Sequence, residues 1–342
     1  MTWLTLLLAD PSPCLRWLVL RELMGRSDDD PEVQELAVLR ECDPLVAPLL
    51  AMQGADGGWH RGDREWLGDA PRLTALALMR LGYLGFGPKH PAVARGAEFL
   101  LSYQRDDGGW GPPRDIQESE ENEGYTMIPM QTSVPLRALA MAGYATDPRA
   151  ERAYVWLMER QLEDGMWPTG RAGGGVFGRV AGYRKMPHSR WGCRSNSTGA
   201  VLCLAHHPER RTGPDARRVV DLLLGRETRE LSLVGHEVTR LIGATRTSGL
   251  TTFYGRFDLA QVLDLAWRVG ANRSDPRIAE IIAWMEGIQG EHGLWDARPP
   301  QASRWVTFDI LRSLSRLDAE TDWVTYEPRT PFQTYPKRPR RY

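Results

Sequence analysis

Apolar positions recur along this chain at helical spacing. Tyr154, Leu157, Met158 and Gln161 share one face, as do Ile278, Ile281, Ile282, Met285 and Gln289. These stripes begin after a common start signal, Asp30-Pro31, Asp147-Pro148 and Asp275-Pro276. Aspartate accepts the orphan N–H groups of a first helical turn, and proline fits the first helical position because it lacks an N–H. Gly25, Gly143 and Gly270 precede the signals and suit a left-handed helix end. His90-Pro91 and Gly213-Pro214 are weaker versions. Ahead of the glycines lie more apolar segments, Leu73–Leu81, Ser133–Ala142, Thr198–Ala205, Asp258–Val269 and Thr307–Leu317, each predicted as a second helix. The unit is therefore helix, short turn, helix. No stretch reads as a strand ladder.

Each unit closes on one pattern, Gln-x3-Gly-x-Trp. It occurs at Gln53–Trp59, Gln104–Trp110, Gln161–Trp167 and Gln289–Trp295. The first three recur about every fifty residues and the fourth after about twice that interval, which signals a repeat architecture with one decayed copy near Gly225. Five or six helical hairpins result, and they either stack into an open solenoid or close into a ring. The turn resembles the QW repeat of terpenoid cyclases and protein prenyltransferase β-subunits, over roughly residues 12–318. That resemblance implies an all-α fold, a closed α/α toroid in which the Gln and Trp of neighbouring turns tie outer helices together. The expected organisation is one toroid over 1–325 and a Pro/Arg-rich tail over 326–342.

Composition narrows the function classes. Net charge is −1, with 25% charged and 42% hydrophobic residues, an ordinary globular balance without the basic field that nucleic acid requires. Thr5–Ala9 is too short for a membrane span or a signal core, so no transmembrane segment and a cytoplasmic location are expected. Cys14, Cys42, Cys193 and Cys203 show neither disulfide-framework nor zinc-knuckle spacing. Lysine is confined to Lys89, Lys185 and Lys337, which disfavours Schiff-base chemistry. The tail ends Lys337-Arg338-Pro339-Arg340-Arg341-Tyr342. It reads as a surface-draped segment, with contact to a partner or membrane surface as the functional alternative.

Candidate chemistry gathers where loops meet inner helices. The acidic loop Gly111–Gln131 carries Glu123, and the basic loop Pro168–Ser197 carries Arg190, Trp191 and Cys193. They read either as paired surface lids or as a gated mouth with cations for an anionic group and a carboxylate for acid–base work. Asp28-Asp29-Asp30 reads as a helix cap rather than a metal motif, since Asp30-Pro31 repeats the start signal.

The resemblance implies an Asp-x-Asp-Asp acid motif for a class II cyclase, but the matching stretch, Pro129-Met130-Gln131-Thr132, holds no carboxylate. A prenyltransferase implies zinc held by Asp, Cys and His. Cys193 stands near that place without an Asp-x-Cys, and the last inner helix offers Asp309 instead of His. No metal is expected, and no cofactor can be named. An internal echo remains: Tyr254-x-x-Phe257-Asp258-Leu259 and Trp305-x-x-Phe308-Asp309-Ile310. It predicts two equivalent acids at the starts of adjacent inner helices, serving as caps or as catalytic groups. With Glu123 they are the candidate catalytic residues. Arg190, Trp191, Cys193, Tyr254, Arg304 and Trp305 are the candidate substrate contacts. Three functions follow: an isoprenoid enzyme with an apolar ligand in a central cavity, a non-catalytic binding or interaction toroid, and a carbohydrate-processing toroid. The cavity lining separates them. Dry aromatics favour isoprenoids, facing carboxylates favour sugars, and a filled centre favours a scaffold.

Overall fold

A computed structural model describes residues 2–60, 70–111, 129–168, 189, 192–225, 234–245 and 258–326. Glu123, Arg190, Trp191, Tyr254, most of both long loops and the tail beyond 326 lie outside the described residues. The described residues form an all-α ring. Its inner helices are α2 (Pro13–Leu18, continued by a π-helical turn, Val19–Leu23), α5 (Ala70–Tyr83), α7 (Pro129–Met141), α9 (Arg194–Leu204), α12 (Leu259–Arg268) and α14 (Ser303–Arg316). The outer layer holds α1 (Thr2–Leu8), α3 (Pro31–Leu39), α4 (Ala47–Ala51), α6 (Pro91–Leu101), α8 (Pro148–Met158), α10 (Pro214–Gly225) and α13 (Pro276–Gly287). Helix α7 packs between α5 and α9, α12 against α14, and α14 against the π-turn of α2 and against α1, so the first and last described helices meet in the wall. No described helix is long and apolar enough to cross a membrane.

The start signals behave as aspartate chemistry requires. Asp30, Asp147 and Asp275 accept backbone N–H groups of the helices that follow. Asp30 therefore spends its carboxylate as a cap, and Asp28 pairs with Arg21.

The repeat turn is a hydrogen-bonded lock. Each Trp indole N–H donates to a carbonyl near the C-terminus of its own outer helix: Trp59 to Leu49, Trp110 to Leu100, Trp167 to Leu157 and Trp295 to Met285, at 2.7–3.0 Å. These carbonyls belong to the last turn, where i→i−4 donors run out; the Leu100, Leu157 and Met285 carbonyls also accept the N–H of Tyr103, Arg160 and Ile288 just past the helix. Each Gln side chain donates to the carbonyl of its own turn glycine. Gln53 and Gln104 also donate to Ala92 and Arg149, in the first turns of the next outer helices. Gly57 and Gly108 have φ near +90°, and a Cβ there would lie 2.6 Å from the Arg95 or Arg152 carbonyl, so only glycine lets the turn approach its neighbour.

One member of the lock is absent from the sequence pattern. The backbone N–H of each repeat Trp donates to a buried hydroxyl of the next inner helix: Thr74, Thr132, Ser197 and Thr307, at 2.9–3.0 Å. Each turn thereby ties an outer helix to the next inner one.

A further element was not expected from periodicity. Helix α11 (His236–Leu241) lies inside the ring instead of in its wall. It starts where the inner helices start: Gly235 packs on Val306, and the Glu237 N–H donates to Asp258. It ends beside the last turn of α5, where Arg80 Nε donates to the Leu241 carbonyl at 2.7 Å. Past α14, residues up to 326 cross α10 and α13: the Trp323 indole and Thr325 hydroxyl donate to Asp275, and the Tyr326 N–H to Asp221.

Truncating Trp110 or Trp167 to alanine should destabilise by about 3–5 kcal/mol, the range for a buried aromatic. Thr132→Val should cost about 1–3 kcal/mol, because it strands the buried Trp110 N–H. Urea unfolding checks both. A Thr132→Val protein as stable as wild type would remove the hydroxyl from the lock.

Candidate functional site

The candidate acids occupy two different environments in the interior. Asp258 is the N-cap of α12. Its Oδ1 accepts the Gln261 N–H and its Oδ2 the Glu237 N–H, both at 2.7 Å. It therefore staples the starts of α11 and α12 together. Burial raises its carboxyl to about 6, against the pull of those two N–H donors. Asp309 is not at a helix start. Helix α14 begins at Ser303, so Asp309 falls in its second turn. This corrects the equivalence suggested by the echo. The physical reason is the 3₁₀ turn Pro300–Ala302, after which α14 starts early, with the Ser303 hydroxyl accepting the Ala297 N–H.

Asp309 belongs to a buried ionic cluster. Its carboxyl meets the Arg312 guanidinium, which also lies 3.5 Å from Asp264 and 3.7 Å from Glu22. Arg268 and the Trp267 indole hold Asp264 from the other side. The two acids separate in titration. Burial opposes ionisation of Asp264, but Arg268 and Arg312 overcome it and hold the group well below the carboxylate range. Asp309 is raised to about 7, first by burial and then by the charges of Asp264 and Asp258, with Arg312 pulling the other way. Tyr83 completes the cluster. Its ring lies 6.1 Å from Trp305 and 5.7 Å from the Arg312 guanidinium carbon, and burial pushes its hydroxyl far above the phenol range.

A second ionic group surrounds α11. Glu237 pairs with Arg137 of α7 at 2.8 Å and with Arg240 through two guanidinium nitrogens. Burial opposes its charge, yet Arg240 and Arg137 bring Glu237 down to about 2. The sequence signal for these residues was present: Arg80, Arg137 and Arg312 interrupt otherwise apolar inner-helix stripes. A lone arginine in such a stripe does not reveal its partner, and Glu237 sits on a helix that periodicity did not predict.

The remaining described candidates are dispersed. Trp305 is buried one turn before Asp309 and shares its face. Arg304 points to Asp10, 3.1 Å away, and closes the ring near the N-terminus. Cys193 is buried just ahead of α9, a free thiol whose N–H donates to the Trp167 carbonyl at 2.7 Å. Among the described residues, no group of His, Cys, Asp and Glu is arranged to hold a metal ion. The arrangement offers a carboxyl that exchanges its proton near neutral pH beside two aromatic rings. Such an acid is far too weak to protonate an isolated alkene.

Residues 45–186 match the family of the squalene-hopene cyclase C-terminal domain. A probable squalene–hopene cyclase of Sinorhizobium fredii is 30% identical over 149 residues, covering 43% of this chain and 22% of that protein. A squalene-hopene cyclase of Schizosaccharomyces japonicus is 38% identical over 185 residues, covering 35% of this chain and 28% of that protein. The chain thus spans only about a quarter of the length of these relatives. Among solved structures, the type II terpene cyclase MstE of Scytonema, bound to geranylgeranyl dihydroxybenzoate, is 16% identical. The match covers 80% of this chain and 95% of that one, with a TM-score of 0.37.

The Asp309 carboxyl generates a pH test. Its folded-state value lies above that of the unfolded chain, so the stability it contributes is complete below pH 4 and is lost as pH rises through about 7. Asp309→Asn should therefore gain on wild type by roughly 1–3 kcal/mol between pH 4 and pH 8. Paired denaturant melts at the two pH values measure this. A stability difference that stays constant with pH would remove the raised carboxyl.

Proposed function

We propose that this chain, which is terpenoid cyclase-like, binds an apolar isoprenoid-type ligand without initiating cyclisation by alkene protonation. The observation that carries the reading is the commitment of the interior carboxylates. Asp258 spends both oxygens on backbone N–H groups. Asp309, raised to about 7, is a weak acid. The start of α7, where an acid motif would stand, presents Met130, Gln131 and Thr132, and Thr132 is engaged with the Trp110 N–H.

The ligand class follows from relatedness. The curated relatives are named for squalene, a hydrocarbon. The interior position of Tyr83 and Trp305, two rings 6.1 Å apart and beside the Arg312 charge, supports a seat for an unsaturated chain there. The free cysteines support a reducing, cytoplasmic setting. A sugar-processing reading receives no comparable support among the described residues, where Asp258 is held by two backbone N–H groups and Asp309 by Arg312. A toroid retained purely for interaction is favoured by one observation, the placement of α11 inside the ring.

Incubation of the purified protein with squalene, farnesol and geranylgeraniol, followed by native mass spectrometry and extraction of products, separates these readings. The expected result is a 1:1 complex that returns the isoprenoid unchanged. A cyclised product would overturn the non-initiating reading, and failure to bind any of the three would overturn the ligand class in favour of the interaction toroid.

A further inference from the structure

Helix α11 packs against α5 and α14. These are the helices that carry Tyr83 and Trp305, the two rings 6.1 Å apart. The helix begins against Val306, the neighbour of Trp305, and ends against Arg80, one turn before Tyr83. One of its faces presents Val238, Leu241 and Ile242, three and four residues apart. Each is at most 5% exposed, and all three belong to the main hydrophobic core. The other face carries Glu237 and Arg240, paired with each other and, through Glu237, with Arg137 of α7.

The ties of α11 differ from those of the wall. Wall helices are fixed by the repeat joints, whereas α11 carries no repeat Gln or Trp. Six residues are too few to hold a helix by themselves, and its N-cap, Gly235, makes no side-chain hydrogen bond. Three polar contacts to three different elements keep it in place. The Glu237 N–H donates to Asp258, the Glu237 carboxylate meets Arg137, and the Leu241 carbonyl accepts from Arg80 Nε. The Arg80 guanidinium also covers Gly243, where a Cβ would collide with it, and so closes over the end of α11. Helix α11 can therefore leave its place by giving up these contacts and its own burial, with every joint of the wall intact.

We propose that α11 is an autoinhibitory segment: it fills the seat of the apolar ligand, and an isoprenoid chain binds by displacing it, with Arg80 as the latch. Branched aliphatic side chains and a methyl-branched isoprenoid chain satisfy the same apolar surroundings, so the two compete for one volume. Apparent ligand affinity is then reduced by the fraction of molecules in which α11 has left the seat. Loosening α11 tightens binding, the reverse of what damage to a ligand contact does. The inference rests on the isoprenoid reading above and adds how access to the seat is regulated.

Hydrogen-exchange mass spectrometry with geranylgeraniol as the probe tests it, alongside calorimetric titration of wild type, Arg80→Met and Ile242→Ala. The methionine removes the bond to Leu241, and the alanine trims the apolar face of α11. The amides to follow are those of Thr239, Ile242, Gly243 and Ala244, whose hydrogen bonds close the helix. At saturating geranylgeraniol their exchange is expected to speed up at least tenfold while α7 and α9 keep theirs. Arg80→Met is expected to bind at least fivefold more tightly than wild type. Circular dichroism confirms folding, and Ile242→Ala carries the comparison should Arg80→Met not fold. Binding seen only in the variants supports the latch. Binding that slows exchange in α11 or leaves it unchanged overturns this inference and leaves the isoprenoid reading standing, as does equal or weaker binding by the folded variants. No binding by wild type or either variant overturns the isoprenoid reading, and the autoinhibitory role with it.

Discussion

The ring depends on the tryptophan that closes each repeat. Its indole N–H satisfies a carbonyl at the end of one outer helix, and its backbone N–H is satisfied by a hydroxyl of the next inner helix. Two classes of buried polar group, each costly if left alone, are thereby resolved by one residue. Because the same bonds recur at Trp59, Trp110, Trp167 and Trp295, the wall is built from identical joints. Apolar stripes supply most of the burial, but they do not set which helix follows which. The joints do, through fixed acceptor positions.

A wall built this way surrounds a centre that can diverge. Here the centre is ionic. Asp264, Asp309, Arg268, Arg312 and Glu22 form one cluster, and Glu237, Arg137, Arg240 and Arg80 the other. Helix α11 is held between them by Asp258, Val306 and Arg80 instead of by a repeat turn. The decayed repeat copy and the interior helix belong to the same stretch of chain. The decayed copy was expected near Gly225, where α10 ends, and the next described helix lies inside the ring. Of this stretch, α11 contributes its backbone to the interior.

Alkene protonation needs an acid destabilised toward losing its proton. The interior carboxyls are tuned otherwise: Asp264 and Glu237 are stabilised as anions by arginine, and Asp309 is stabilised as a neutral acid by burial. Relatedness to squalene-hopene cyclases over residues 45–186 covers three of the repeat turns, which is the scaffold, and stops before α11 and the acids Asp258 and Asp309. The matched part is the scaffold of repeat turns, and α11 and the two acids lie outside it.

The sequence by itself determined the helical hairpins and their caps, while the ring followed from the resemblance of the repeat turn. Those features are set by local spacing: Asp-Pro at the starts of α3, α8 and α13, a positive-φ glycine at each repeat turn, and a Gln, Gly and Trp whose partners lie within ten residues or at the next repeat. The hydroxyl partners Thr74, Thr132, Ser197 and Thr307 escaped notice because their distance from the Trp varies with loop length, from 12 to 30 residues. Only the tertiary structure decided the interior. Asp258 and Asp309 look alike in a six-residue window, yet one caps a helix and the other pairs with Arg312, since the helix start differs by a 3₁₀ turn. The pairing of Arg137 with Glu237 joins residues a hundred positions apart, and no local pattern encodes it. Charge pairs in a buried centre are chosen by proximity after the wall has closed, when desolvation makes an unpaired ion too costly to keep.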